Sequence, residues 1–182
     1  MWAQIEDAGS RLPEALRPVF AEACQEIRDI EARIKKVEHQ LAALAEQTPA
    51  VVWLLTIPGI GLLTATAIVA FIGDIRRFPS GRHFASYLGL TPREYSSGLK
   101  RQLGRISKRG DGYLRTLLIH GARSVLLHAR KQQPDRLRVW AHALAQTHVH
   151  NKAAVAVANK LARIVWAVWS RNVPYKLLSK AA

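Results

Sequence analysis

Two serines, a glycine and a dense run of cations stand together in the middle of the chain, between Leu88 and Arg115. The Ser96-Ser97-Gly98 turn signal is followed, before Asp111, by Lys100, Arg101, Arg105, Lys108 and Arg109. A serine hydroxyl can attack a phosphodiester when nearby cations hold the anionic backbone and stabilise the crowded phosphorus centre. The same run is also typical of a nucleic-acid-binding loop without catalysis. The elements around the run have to discriminate between these two interpretations.

The basic residues are concentrated in one half of the chain. Residues 98–182 contain 17 Lys or Arg and two Asp or Glu, whereas residues 1–97 contain 10 and 11, for a net charge of +14 overall. One-sided charge rich in arginine favours a polyanionic partner, and nucleic acid over a membrane surface. A basic surface kept only for solubility would explain a few surplus lysines, but not an excess confined to one half.

Cysteine content and hydropathy indicate a cytosolic chain. Cys24 is the one cysteine, and the most apolar stretch, 153–169, is interrupted by Asn159, Lys160 and Arg163. We therefore expect a reducing compartment, no signal peptide and no membrane-spanning segment.

The first third of the chain predicts a long helix. Apolar residues alternate spacings of three and four at Phe20, Ala23, Ile27, Ile30, Ile34, Val37, Leu41 and Leu44. This heptad seam is typical of a coiled coil, paired with a second copy or folded back as a hairpin, and Thr48-Pro49 ends it. An ordinary long helix packed on its own domain is the alternative.

The segment 50–72 predicts two short helices around Pro58-Gly59-Ile60-Gly61. This spacing resembles the helix-hairpin-helix motif, in which backbone N–H groups at a helix N-terminus bind a phosphate without reading sequence. Gly59 and Gly61 are therefore candidate nucleic-acid-binding residues. A tight turn between two core helices would also need glycine.

The remaining elements are predicted to be helices around a long loop. Ser80 is expected to cap a short helix, and residues 89–110 to form a loop with at most a short hairpin at Ser97-Gly98. Three helices are expected to follow from Asp111, Pro134-Asp135 and Asn151, with Asp111 as an N-cap and Asp135 in a first turn. The expected fold class is mainly α: a long coiled-coil helix, then a compact helical domain with a helix-hairpin-helix-like element and a long basic loop.

Few residues could hold a metal. The carboxylates after residue 46 are Asp74, Glu94, Asp111 and Asp135, and no pair has a spacing that suggests two-metal phosphoryl transfer. His142, His148 and His150 cluster too loosely for zinc. The chain is therefore expected to have no metal site and no cofactor of its own.

Taken in order, the motifs resemble a known family, the insertion-sequence one-ten family of bacterial transposases, in its C-terminal transposase domain. The resemblance covers about residues 50 to 172, and the arm before it is similar to the family's linker. The residues that carry it are Ile57-Pro58-Gly59-Ile60-Gly61, Thr64-Ala65, Ile72-Gly73-Asp74-Ile75, Phe78, Ala85-Ser86-Tyr87-Leu88-Gly89-Leu90-Thr91-Pro92, Ser96-Ser97-Gly98, Ile106-Ser107-Lys108-Arg109-Gly110-Asp111, Tyr113-Leu114-Arg115, Asn151-Lys152-Ala153-Ala154 and Ala158-Asn159-Lys160-Leu161-Ala162.

The resemblance implies an RNA-guided DNA recombinase in which a serine of the serine-glycine turn forms a transient phosphoserine link to DNA. That role transfers to Ser97, with Ser96 as the second choice. The cations that would position the backbone are Arg93, Lys100, Arg101, Arg105, Lys108, Arg109 and Arg115. The implied partners are DNA, a guide RNA and a second copy bound through the coiled coil, in a cytoplasmic, nucleoid-associated protein.

The resemblance also implies domain limits and a missing part. We expect a coiled-coil arm over 1–48, a transposase C-terminal domain over 49–172 and a tail over 173–182. Complete members of the family begin with a RuvC-like domain whose Asp, Glu, Asp and Asp residues bind Mg²⁺, and we expect this domain to be the missing part. By itself the chain is thus expected to bind nucleic acid without recombining it, with a non-catalytic binding and oligomerisation module as the alternative function.

Overall fold

The first α-helix, α1, spans Arg17–Glu46 and follows a short 3-10 helix at Glu14–Leu16. Our computed structural model describes residues 13–98, 100, 102–128 and 135–175. Pro18 lies in the first turn of α1, where its missing N–H removes no intrahelical hydrogen bond. Side chains of the heptad seam are about half exposed, with Ile27 at 47%, Ile30 at 48% and Ile34 at 51%. The predicted long helix is confirmed, while its pairing into a coiled coil stays a prediction.

The chain divides into two units between Leu44 and Ala45, and the second unit contains the hydrophobic core. The predicted domain limits at residues 48 and 172 stay predictions. Besides a 3-10 helix at Ile75–Arg77, the described helices and strands of the second unit are α2 Pro49–Leu55, α3 Leu62–Ile72, α4 Gly81–Tyr87, β1 Pro92–Glu94, β2 Leu103–Ile106, α5 Gly112–His128, α6 Arg136–Thr147 and α7 His150–Arg171. The fold is mainly helical, as predicted.

Helix α7 is the centre of the second unit, and α2, α4, α5 and α6 all pack against it. One of its faces is buried and rich in alanine, which lets neighbouring helices approach closely. The buried residues of α7 are Ala153, Ala154, Val157, Ala158, Leu161, Ala162, Val165, Val168 and Trp169. Because this face has apolar residues at helical spacing, its burial follows from the sequence pattern.

The ends of several helices are fixed by side chains that the sequence pointed to. The Ser80 hydroxyl accepts a hydrogen bond from the His83 N–H, and the Asp111 carboxylate accepts one from the Leu114 N–H at 2.7 Å. Asp135 was expected in the first turn of its helix. It is instead the N-cap of α6, buried, and accepts from the Arg138 N–H. A carboxylate that caps the free N–H groups of a first turn stabilises a helix by about 1 kcal/mol.

The predicted basic loop contains a two-stranded antiparallel hairpin. Strands β1 and β2 pair Pro92 with Ile106 and Glu94 with Leu103, with an irregular register between the pairs.

Within the part of the chain that the structure describes, no helix is both long and apolar enough to cross a membrane.

Candidate nucleic-acid interface

The base of the hairpin is fastened to the core by its backbone. The Ser107 N–H donates to the Thr91 carbonyl at 2.8 Å, and the Lys108 N–H donates to the Gly89 carbonyl at 3.1 Å. Gly89 has φ +69° and lies against the backbone of Lys108 and Arg109, where a side chain would have no room. Leu88 and Leu90, on either side of Gly89, are fully buried. Both ends of residues 89–110, which we call the basic segment, are therefore held at fixed positions.

The tip of the hairpin projects away from the core. Every described residue from Pro92 to Arg105 is exposed. Ser97 and Lys100 face each other and exchange backbone hydrogen bonds of 3.3 and 3.2 Å. Gly98, between them, has φ +56°, which a two-residue hairpin connection requires and glycine supplies without strain. The turn thus presents Ser97 to solvent next to a residue without a side chain.

The two serines of the turn have different surroundings. The Ser96 hydroxyl donates to the Glu94 carboxylate at 2.7 Å and accepts from the Gln102 N–H at 3.0 Å, so it links the two strands. The Ser97 hydroxyl makes no hydrogen bond to any other residue in the described ranges. Ser96 is therefore engaged in holding the hairpin together, whereas the oxygen of Ser97 faces solvent.

The predicted cations that the structure describes lie at different positions along the hairpin and its base. Lys100 and Arg105 are exposed on the hairpin, and Lys108 and Arg109 are exposed where it rejoins the core. The Arg93 guanidinium donates to the Ser107 carbonyl at 3.4 Å. Arg101 lies outside the described residues.

Lys108 has a left-handed backbone, which is uncommon for a residue other than glycine. Its φ is +54°, a conformation that costs a side-chain-bearing residue about 1–2 kcal/mol. The hydrogen bond from its N–H to Gly89 holds it there. The Lys108 side chain is thus presented by a fixed segment of backbone.

Arg115 lies behind the hairpin and contacts the chain itself. Its Nη1 donates to the carbonyls of Leu88, Gly110 and Asp111, at 3.1, 3.4 and 3.4 Å. These bonds join the two ends of the basic segment to the first turn of α5. The geometry supports a positioning role, while the predicted contact with nucleic acid stays a prediction.

Gly59 and Gly61, the other predicted binding residues, differ in their environment. Gly59 has φ +83°, and a Cβ there would lie 2.6 Å from the Gly121 carbonyl oxygen and from a Val125 methyl carbon. Gly61 is the N-cap of α3, has no neighbour within 4 Å of an added Cβ, and is exposed. Packing against α5 accounts for Gly59. The helix-hairpin-helix interpretation remains a prediction that now depends on Gly61 and the first turn of α3.

The four carboxylates of the second unit beyond Glu46 are engaged at separate places. The Arg76 guanidinium, by hydrogen bonding, holds the pKa of the Asp74 carboxyl below its usual value. Glu94 binds Ser96, while Asp111 and Asp135 cap helices. In the described ranges, no group of three or more His, Cys, Asp or Glu residues could hold a metal ion. These carboxylates therefore do not form a magnesium site like the one that the resemblance assigns to the RuvC-like domain.

Sequence reasoning missed two residues that shape this region. Glu94 holds Ser96, a pairing that alternation along a strand could have suggested. The amide of Asn159, on α7, donates to the Leu90 carbonyl at 3.2 Å and supports the hairpin base. An asparagine within the apolar pattern of α7 is the signal that could have indicated such a bond.

Several known proteins are similar in sequence to this chain. Residues 52–138 match a family model described as Transposase IS116/IS110/IS902 family. A "Probable family 20 transposase" of Pseudomonas aeruginosa is 45% identical over 165 residues, which are 91% of this chain and 48% of that protein. The "Transposase for insertion sequence element IS1111A" of Coxiella burnetii is 42% identical over 151 residues, 83% of this chain and 41% of that protein.

A third relative is named for gene inversion and not for transposition. A "Pilin gene-inverting protein" of Moraxella lacunata is 30% identical over 154 residues, 82% of this chain and 47% of that protein. The chain spans about half the length of the curated relatives it matches. Over residues 52–138 the chain matches a transposase domain of the IS110/IS116 family.

Proposed function

We propose that this chain is the nucleic-acid-binding, nucleophile-bearing part of an insertion-sequence transposase of the RNA-guided serine recombinase type, with Ser97 as the attacking residue. One observation carries the proposal: an exposed Ser97 hydroxyl, without a hydrogen-bond partner in the described ranges, at the tip of a basic hairpin. The engagement of the Ser96 hydroxyl by Glu94 and Gln102 favours Ser97 over its neighbour. The relatives titled as transposases supply the substrate class, DNA.

The proposed step is an exchange at phosphorus. The Ser97 Oγ forms a bond to a DNA phosphorus while the bond from that phosphorus to one sugar oxygen breaks. Ser97 loses its hydroxyl proton and the departing sugar oxygen gains one, so the step is balanced in protons. Attack by another strand's sugar hydroxyl reverses the exchange and releases Ser97. The covalent ester preserves the energy of the phosphodiester, so no nucleotide hydrolysis is needed.

The cations of the hairpin would hold the DNA backbone. Lys100 is paired directly across the turn from Ser97, and Arg105 lies on the adjoining strand. Cations at these places neutralise phosphates and stabilise negative charge as it grows around phosphorus. Arg93, Lys108 and Arg109, nearer the base of the hairpin, would hold the DNA backbone on either side of the reacting phosphate. Arg101, which lies outside the described residues, is proposed to bind the backbone as well.

Magnesium would have to come from elsewhere in the working assembly. Since the four carboxylates described above do not fit the implied set, we propose that a RuvC-like acidic domain supplies the metal ligands and that the site forms when the two parts meet. A guide RNA and a second copy bound through α1 are the further proposed partners.

The test is to trap the serine–DNA bond. The chain is combined with its acidic domain, Mg²⁺ and an insertion-sequence end whose scissile phosphate bears a bridging sulfur, so that the released thiol does not rejoin. We expect a protein–DNA adduct on a denaturing gel, and a phosphorylated peptide containing Ser97 by mass spectrometry. Ser97→Ala should reduce the adduct at least about a thousandfold, because the attacking oxygen is gone.

Two matched variants test the assignment. Ser107→Ala removes a nearby hydroxyl and should form the adduct in the wild-type amount. Ser96→Ala should form the adduct more slowly, with the phosphorylated residue still Ser97. An adduct on Ser96 would overturn the assignment of Ser97. If the complete wild-type assembly cuts DNA without any adduct, the nucleophile proposal fails, and the non-catalytic binding module becomes the better account of this chain.

A further inference from the structure

An open groove separates α4 from the middle of α7, on elements that do not include the hairpin. Its volume is about 550 Å³, and Ser80, Gly81 and Arg82 line one side. Lys160, Arg163 and Ile164 line the other side, together with Trp166 and Ala167. Clefts of about 300–1,000 Å³ hold drug-sized molecules, which is the scale of one or two nucleotides and too small for a duplex.

The walls of the groove are held by close packing. A Cβ at Gly81 would lie 3.0 Å from the Cα and the carbonyl oxygen of Arg163, so the glycine lets α4 approach α7. The Trp166 indole N–H donates to the Phe78 carbonyl at 2.9 Å, which fixes the plane of the ring. The Lys160 ammonium lies 4.5 Å from the centroid of the Trp140 ring. The groove is therefore formed before any ligand binds.

The charges around the groove have one sign. Arg82 and Arg163 are exposed, and neither side chain forms an ion pair or hydrogen bond within the described ranges. None of the described residues that line the groove carries a carboxylate. In that respect the surface is complementary to a phosphate backbone.

Cations at the rim and an apolar floor with an indole ring are the features of sites for unpaired strands. A duplex offers phosphates outside and keeps its base faces stacked, so it would gain little from Ile164 or Trp166. An unpaired base can pack on such a floor while its phosphate is held by arginine. We propose that this groove binds a single-stranded segment of nucleic acid, with Arg82, Lys160 and Arg163 on its phosphates and Trp166 beneath a base.

This inference rests on the proposed function in one respect, because it assumes that the partner is nucleic acid. It adds a second binding surface that prefers a different form of nucleic acid. The groove binds an unpaired strand, whereas the hairpin binds the DNA that is cleaved. The two surfaces lie on separate elements, so variants in one leave the other unchanged.

The test compares the wild-type chain with Arg82→Ala/Arg163→Ala in fluorescence anisotropy. The probes are a thymidine oligodeoxynucleotide, a uridine oligonucleotide of equal length and a DNA duplex. We expect the double variant to lose at least about tenfold affinity for a single strand, because charge-assisted contacts are removed. Each lost contact should reduce the slope of log affinity against log salt by about 0.7. Duplex affinity should change less than about threefold.

The matched control, Arg33→Ala/Lys36→Ala, removes two charges from α1, and Arg82→Lys/Arg163→Lys keeps both charges in the groove. The first should bind single strands like the wild type, and the second should recover most of the loss. If the groove variant loses affinity for the thymidine or the uridine oligonucleotide while its duplex affinity is unaffected, the groove proposal is supported. The probe whose affinity falls shows whether the groove binds DNA or RNA. Unchanged single-strand affinity, or equal losses for duplex and single strand, overturns it.

A hairpin variant separates this result from the proposed function. Arg93→Ala/Arg105→Ala should weaken duplex binding and leave the single-strand preference of the groove. If the hairpin variant behaves as expected while the groove variant does not, the proposed function stands and the groove inference falls. If the groove variant behaves as expected while the hairpin variant does not, the hairpin interface is refuted and the groove inference stands.

Discussion

Gly59 and Gly61 show, at the scale of single residues, that a motif can contain glycines present for different reasons. Gly59 turns the chain with a positive φ and lies in contact with the Gly121 backbone of α5. Gly61 starts α3 with an extended backbone that other residues also adopt. The first glycine is required by the fold, whereas the second is free to contact a ligand.

This difference gives a direct prediction for stability. We expect Gly59→Ala to lower the free energy of unfolding by roughly 2–5 kcal/mol, because alanine resists the left-handed backbone and overpacks against α5. Gly61→Ala, its control two residues away, should cost less than about 1 kcal/mol. Urea unfolding followed by circular dichroism measures both. Equal losses in the two variants would contradict the packing explanation.

Single-residue roles were predictable when the partner was near in the sequence. Ser80 and Asp111 each cap a helix by accepting a hydrogen bond from the N–H three residues later in the chain, and the local sequence pattern was enough to predict both caps. Arg115 and Asn159 bond carbonyls 27 and 69 residues away, so their roles depend on tertiary packing. The choice of Ser97 over Ser96 came from resemblance. The partners of Ser96 are only two and six residues away, but the turn of the hairpin has to be known before Gln102 can be placed next to Ser96.

At the scale of elements, α1 has an apolar seam that its own helix cannot bury. The seam residues Val37 and Leu44 are 59% and 61% exposed, and polar side chains flank them. Heptad spacing is the pattern by which two such helices bury each other's seams. The helix itself was predictable from this period, whereas its partner was not, since one chain cannot show whether a seam pairs.

We expect Ile30→Glu/Ile34→Glu to abolish self-association through α1, because two carboxylates would face the partner's seam. Sedimentation equilibrium should give a wild-type mass above the 20.3 kDa of one chain, rising with concentration, and a variant at that single-chain mass. Ala32→Glu/His39→Glu adds the same charges off the seam and should associate like the wild type. A monomeric wild type at every concentration would refute pairing.

At the scale of the whole molecule, the charge asymmetry of the sequence is displayed on two surfaces of one unit. The hairpin presents cations on a projecting tip, and the groove between α4 and α7 presents them around a cleft. The total charge was readable from composition. Its division between a convex and a concave surface was not, because the groove joins residues about 80 positions apart.

The whole-molecule prediction concerns salt. If the predicted cations each neutralise a phosphate, duplex affinity should fall about a thousandfold between 50 and 200 mM salt, because bound counterions are released. Titrations at four or more salt concentrations measure the slope. An affinity that does not respond to salt would show that the +14 charge plays no direct part in binding.

The way the hairpin is fastened also has an evolutionary consequence. Its base is fixed by Gly89 and Gly110, where a side chain would collide with neighbouring backbone, while the described residues of its strands and tip are exposed. Insertions, deletions or exchanges beyond the base would therefore leave the helical core undisturbed. Related chains can diversify the tip as an interchangeable cassette, and a chimaera that transplants residues 92–106 between relatives would inherit the donor's tip on the recipient's scaffold.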